Sequence, residues 1–284
     1  MTNEVEVRDA VKRVVGEFAG GLRTRHLAQV DDPEGVLNKK IHNVFIAALG
    51  SDVQFWSAMS RSLDSAFGGM LERLGREIAE RNFVVSDVMK GYVSSAQAQF
   101  IASLMEDYRA KRKHPRRSDY AELRALGLEG GKQERHYSDL YLIGRDGSYH
   151  LIELKAGGDL DNKKAASEKQ AILNQYAILA NSLPVGTEVN LWFATAYNKS
   201  GEGNYWRQTS VRQFFAEDEL LIGGDFWRFV AQHPEGHSWV LEAFMEIAPA
   251  LAESLSDIRN AYAARGNLDL SFAAEGIEIE IDRN

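Results

Sequence analysis

The chain has 284 residues, 44% hydrophobic and 26% charged with only five prolines, which suits one large or two modest globular domains and excludes a disordered chain. Zero cysteines exclude disulfides and thiolate metal sites, in keeping with a cytoplasmic protein. The formal charge of −8 argues against a uniformly basic surface, yet Arg109, Lys111, Arg112, Lys113, Arg116 and Arg117 crowd together beside His114. An acidic body with one basic patch can bind a polyanion on one side and stay soluble elsewhere; the plainer alternative is a solvated helix end. No apolar run is long enough to span a bilayer, and the acidic start, Met1 to Glu6, lacks the features of a signal peptide, so no membrane partner is expected.

In chain order, Val5, Val7, Val11, Val14, Val15 and Phe18 follow a near-helical period and predict a first helix that Gly20-Gly21 can end. Val53 to Glu80 predicts a second helix, with Gly68-Gly69 as a place to break or kink. Ser86-Asp87 reads as the cap of a third, running to Arg109. Pro115 punctuates the basic run, and Gly127 to Gly131 reads as a loop. After residue 136 the pattern changes. Asp139 to Ile143 and Tyr149 to Lys155 read as strands, and the Asp146-Gly147 between them is a hairpin signal.

Lys163 to Asn181 predicts a helix, N-capped by Asp161 or Asn162 and ended at Leu183-Pro184. Glu188 to Ala196 is an apolar strand expected to be buried on both faces, followed by a polar loop from Tyr197 to Arg207. Asp225 to Gln232 and Ser238 to Ala264 predict two more helices, and Gly276 to Asp282 an edge strand. The sum is an α/β fold: a mixed sheet core with helices on both sides, extended by N- and C-terminal helices. Residues 1–135 form a mainly helical part and 136–284 the core with its C-terminal helices, integrated as one unit.

Alternation along the second strand puts Leu151, Glu153 and Lys155 on one face, and pairing through the Asp146-Gly147 turn sets Asp139 opposite a residue near 153. Two carboxylates and an amine thus converge, a set suited to phosphodiester hydrolysis. Asp139 and Glu153 can hold a hard cation such as Mg²⁺, with the backbone carbonyl of Leu154 as a further ligand, while Lys155 can orient a water at the phosphate. A surface Glu–Lys pair is the plainer alternative, but here the two charges interrupt an apolar run that leads into Ala156-Gly157-Gly158. Lys163, Lys164 and Lys169 in the first half of the next helix oppose its dipole, which a phosphate would explain.

Ser138-Asp139 followed by Glu153-Leu154-Lys155-Ala156-Gly157 resembles the catalytic signature of type II restriction endonucleases of the PD-(D/E)XK superfamily, and in particular the TdeIII-type group and relatives that cut interrupted GG/CC palindromes. Weaker likeness extends to Ser65-Ala66-Phe67-Gly68-Gly69, Asp225-Phe226-Trp227 and His237 to Glu242. Ser138 departs from the proline of the superfamily name. The resemblance implies a restriction-endonuclease-like sheet, Mg²⁺ as cofactor, and Asp139, Glu153 and Lys155 as catalytic residues. It also implies double-stranded DNA as substrate, a homodimer matching a palindrome, and a cognate DNA methyltransferase as companion. Glu72 is a possible additional acid. A repair or recombination nuclease with the same core, or a DNA-binding module without activity, are the competing readings.

For DNA contacts, the basic residues from Arg109 to Arg117 and Lys163, Lys164 and Lys169 are candidates for phosphates. Asn198, Lys199 and Arg207, in a loop that leaves a core strand, are candidates for reading bases. His233 and His237 are separated by Pro234-Glu235-Gly236 and read as structural.

Overall fold

The computed structural model describes residues 2–40, 43–126 and 129–264, so the edge strand expected at 276–282 lies outside the described residues. In chain order the elements are α1 (Glu4–Ala28), α2 (Val44–Ala47), α3 (Ser51–Ala79), β1 (Val84–Val93), α4 (Ser95–Arg109), β2 (Lys132–Ile143), β3 (Tyr149–Lys155) and α5 (Asn162–Ser182). Then follow β4 (Val189–Thr195), α6 (Thr209–Arg212), β5 (Leu220–Ile222), α7 (Gly224–Ala231) and α8 (Gly236–Ala264). The five strands form one sheet in sequence order. β1, β2 and β3 run antiparallel, and β3, β4 and β5 run parallel. The fold is therefore mixed α/β, with α5 as the crossover between β3 and β4.

The helix expected from Ser86 to Arg109 starts later. Val84, Val85, Val88, Tyr92 and Val93 favour a pleated surface, and β1 pairs along β2. The true cap is Ser94: its Oγ accepts from Gln97 N at 3.1 Å, while Gln97 Oε1 accepts from Ser94 N at 2.9 Å, a reciprocal capping box. Gly20-Gly21 and Gly68-Gly69 lie inside α1 and α3, which continue through them. Glycine weakens a helix by only about 1 kcal/mol, which packing of long helices offsets. Asp161 is the N-cap of α5, accepting from Lys164 N at 2.8 Å.

By contact the chain resolves into two units, Met1–Ala10 with Leu71–Leu241, and Val11–Met70 with Glu242–Asn284. β1 and α4 fall in the unit that holds the sheet. In the sheet unit, α4 and α5 cover one face. Ile101, Leu104 and Met105 of α4 and Ile172, Leu173 and Ile178 of α5 bury themselves with Leu151, Leu191 and Phe193 of the central strands. The opposite face carries Leu140, which with Phe226 of α7 leaves no room for a side chain at Gly75 of α3.

The other unit is helical, built on Leu22, Phe55, Met59, Leu251, Ile258 and Tyr262. His26 is buried there, with Nε2 3.1 Å from Ser62 Oγ. Burial, aided by Arg25, lowers its pKa to about 4. A neutral His26 stabilises the fold fully above the unfolded value near 6.5, and this is lost as pH falls through the window towards 4, by up to about 3 kcal/mol. Wild type and His26→Asn should therefore diverge in stability at pH 7.5 and converge at pH 4.5 in urea unfolding; a constant difference would show that His26 does not titrate in this window.

Candidate active site

The site grows from the β2–β3 hairpin. Leu140 pairs with Ile152, so the next step of the register sets Asp139 against Glu153. Asp146 Oδ1 closes the turn by accepting from Ser148 N at 3.0 Å and Ser148 Oγ at 2.6 Å, and Gly147 adopts a positive φ of 83°.

On its other edge β2 is irregular. Ser86 pairs with Tyr141 and Val88 with Tyr137, so residues 138–140 of β2 face a single residue of β1. Asp139 thus sits in a β-bulge, a device that re-aims a side chain at the cost of local pairing. Within the bulge, Ser138 Oγ donates to Leu140 O at 3.1 Å.

Asp139, Glu153 and Lys155 are brought together. Asp139 Oδ2 accepts from Leu154 N at 2.9 Å and lies 3.9 Å from Lys155 Nζ, which also pairs with Glu153 Oε1. A third carboxylate joins them: Glu168 Oε1 on α5 is 3.5 Å from Lys155 Nζ. Sequence reasoning missed Glu168, since no local spacing ties a residue in the second turn of a helix to a strand thirteen positions earlier. All four side chains are partly shielded, with 13–28% of each exposed.

The electrostatics show a shortage of positive charge. Burial, and then the neighbouring Asp139, push Glu153 up to about 8. Burial also raises Asp139, against the pull of Lys155. Burial opposes the charge on Lys155, but Glu153, Asp139 and Glu168 together outweigh it and hold the ammonium above its usual range. Glu72 on α3 feels the same cluster: burial and Asp139 raise it while Lys155 lowers it. It lies one turn before Gly75, on the helix face that meets Leu140.

The residues expected at DNA separate into groups. Lys169 is a correction: it is fully buried, and its Nζ pairs with Glu219 at 2.7 and 2.9 Å above the rings of Tyr120 and Phe215. It faces inward because its position falls on the core side of α5, whereas Lys163 and Lys164 are exposed. Arg117 is held in the fold, with its guanidinium 4.4 Å over Trp192 and 2.7 Å from Asn190 Oδ1. Arg109, Lys111, Arg112, Lys113 and Arg116 are exposed. Arg112 pairs with Asp107, and Lys113 with Asp119.

In the loop after β4, Asn198 is buried, donating to Asn204 O at 2.7 Å and accepting from Ser200 N at 2.9 Å, so it shapes the loop. Lys199 pairs with Asp159 at 2.7 Å. Arg207, Tyr197 and Tyr205 are exposed. The ring of Tyr197 lies over Gly157, two residues past Lys155, and only glycine leaves space for it. His233 stacks on Trp239 at 4.2 Å and serves packing.

A family model described as the type II restriction endonuclease HinfI matches residues 23–248. The chain belongs to the HinfI family of type II restriction endonucleases. No curated protein matches it. As a HinfI-family member it is a site-specific deoxyribonuclease acting on double-stranded DNA. Among the described residues no helix is long and apolar enough to cross a membrane.

Type II restriction endonucleases are generally metal-dependent, and the residues of this HinfI-family site fit a hard cation. Oxygen donors converge, and the raised Asp139 and Glu153 would regain their charge beside a divalent ion. Among the described residues no three Asp, Glu or His side chains are already arranged as a cage, and the Lys155 ammonium pairs with Asp139, Glu153 and Glu168.

Proposed function

We propose that the chain is a Mg²⁺-dependent, homodimeric enzyme that cuts a short palindrome in double-stranded DNA through Asp139, Glu153 and Lys155. The observation that carries this reading is the convergence of a bulge-borne Asp139, Glu153 and Lys155 at the end of one hairpin, in a setting short of positive charge. Asp139 and Glu153, with the carbonyl of Leu154, hold the cation, and Glu72 is a further acid within reach of its field. When bound, a divalent cation supplies a water of lowered pKa and offsets charge developing on the phosphate. The Leu154 N–H fixes the orientation of Asp139. Glu153 and Glu168 hold the Lys155 ammonium, which binds the scissile phosphate and orients the attacking water.

Arg109, Lys111, Arg112, Lys113 and Arg116, with Lys163 and Lys164, contact phosphates, and exposed Arg207 reads bases. The interrupted GG/CC palindromes implied by the resemblance to the TdeIII-type group are the first duplexes to test, and a methyltransferase companion would protect the host copy of the site. Calcium, larger and less able to activate water, should support DNA binding without cutting. Asp139→Ala and Glu153→Ala should each lose both cleavage and the tightening of binding by metal. Retention of metal-dependent tightening by both variants would remove them from the ligand set.

The dimer reading is supported by an apolar surface. Val44 and Phe45 of α2, Leu49, and Val53 and Trp56 of α3 are all exposed, Phe45 by 83%. Their clustering on a short stretch is what a self-complementary patch requires. Phe45→Glu with Leu49→Glu should turn a dimer into a monomer in sedimentation velocity and slow cutting of a palindrome. A dimer that survives both charges would move the interface elsewhere.

A further inference from the structure

The basic run is not one uniform patch. Part of it converges with α5 and α6 on a cavity of about 300 Å³, lined by Lys111, Lys113, His114, Asn162, Thr209 and Arg212. We propose that this cavity seats one backbone phosphate of the DNA, as a site separate from the catalytic cluster. The proposal rests on the nuclease reading and adds to it a place.

The cavity is built rather than incidental. Gln213 Nε2 donates to the carbonyls of Tyr108 and Arg109 at 3.0 and 3.1 Å, tying the end of α4 to α6. Asp119, itself buried, accepts from Tyr108 Oη at 2.9 Å and from Arg116 N at 2.9 Å, and pairs with Lys113 Nζ at 2.9 Å. The basic segment is thereby pinned with its cations in place. Arg212 is fixed as firmly: its guanidinium lies 4.2 Å over Tyr205, Nε donates to Trp206 O at 2.9 Å, and Glu217 takes one terminal nitrogen.

Asp119 and Glu217, with Asp161 at the start of α5, offset part of this charge, while Lys111 and His114 are exposed and make no ion pair with an acid among the described residues. Lys163 and Lys164, exposed in the first turn of α5, add two cations at the same end, next to Asn162. Concentrated cations beside the Thr209 hydroxyl are complementary to a phosphate monoanion.

The test uses the full chain in Ca²⁺, so that binding is scored without cutting, on a duplex whose site has been mapped from Mg²⁺ cleavage. Neutral methylphosphonate linkages are placed one at a time along each strand. One linkage should cost the wild type about tenfold in Kd, as expected for loss of a charge-assisted contact. The same linkage should cost the double variant Lys111→Ala/Lys113→Ala less than about twofold, since its contact is already gone. Equal losses in both proteins, with wild-type cleavage intact, would overturn the cavity while leaving the nuclease reading in place.

If the wild type cuts nothing, that reading fails first, and the cavity is tested on a random duplex instead. There the slope of log K against log salt should fall by about two ions in the double variant, and an unchanged slope overturns the proposal. Saturable binding of inorganic phosphate that is lost in the double variant, with DNA binding unaltered, would assign the cavity to a free anion and likewise overturn it. Thermal melts of both proteins check whether the loss of Lys113, the partner of buried Asp119, leaves the fold intact.

Discussion

Lys155→Ala should abolish DNA cleavage, by about 10²–10⁴-fold, while leaving binding in Ca²⁺ within a few-fold of wild type. The expectation follows from where the ammonium sits. Its Nζ is shared among Asp139, Glu153 and Glu168, so it is placed by three acids from two strands and a helix. Such a group acts at one phosphate, and many other contacts carry affinity. Removing it also leaves three carboxylates facing one another, which further raises Glu153 and Asp139. Lys155→Arg keeps the charge but changes the geometry, and should recover binding of metal-free protein without recovering turnover. Cleavage by Lys155→Ala within tenfold of wild type would take this lysine out of the catalytic set.

The second large effect concerns stability. Lys169→Met should destabilise the sheet unit by about 3–5 kcal/mol, because it strands Glu219, also wholly buried, without its counter-ion. Glu219 would keep only Tyr120 Oη at 2.7 Å and Ala216 N at 2.8 Å. Burial lowers the pKa of Lys169 and Glu219 raises it again, so each charge depends on the other. Lys169→Met with Glu219→Gln should regain most of the loss, since two neutral groups of similar volume need no ion pair. Urea unfolding of the three variants measures this, and a single variant as stable as wild type would contradict the pair's role. The same substitution should hardly change the salt dependence of DNA binding, in contrast with Lys111 or Lys163.

Much of the site was legible in the sequence because it is local. Alternation along Leu151 to Lys155 and the Asp146-Gly147 turn are enough to predict that Asp139, Glu153 and Lys155 meet, and Lys155 Nζ contacts both carboxylates. The Asp161 cap, α7 and α8 were legible for similar reasons, each marked by side chains within one turn of the boundary. What depended on distant partners was not. β1 was read as the start of a helix because its pairing with β2 is separated from it by some forty residues of chain. β5, only three residues long, exists as the parallel neighbour of β4 and has no pattern of its own.

Side chains were misjudged on the same principle. Lys169 carries a charge that sequence alone assigns to the surface, and only Glu219, fifty positions on, makes burial tolerable. Asn198 has the chemistry of a base reader, but its amide closes its own loop. The bulge that aims Asp139 is likewise invisible until β1 and β2 are paired.

The central claim is most directly tested by incubating the full chain with phage DNA in Mg²⁺, beside a parallel reaction in Ca²⁺ and the Asp139→Ala/Glu153→Ala double variant. The account predicts discrete fragments with defined ends in Mg²⁺ only, from the wild type only, and a palindrome shared by all the ends. A smear or cutting confined to branched DNA would contradict site-specific restriction, and fragments from the double variant would contradict the catalytic assignment.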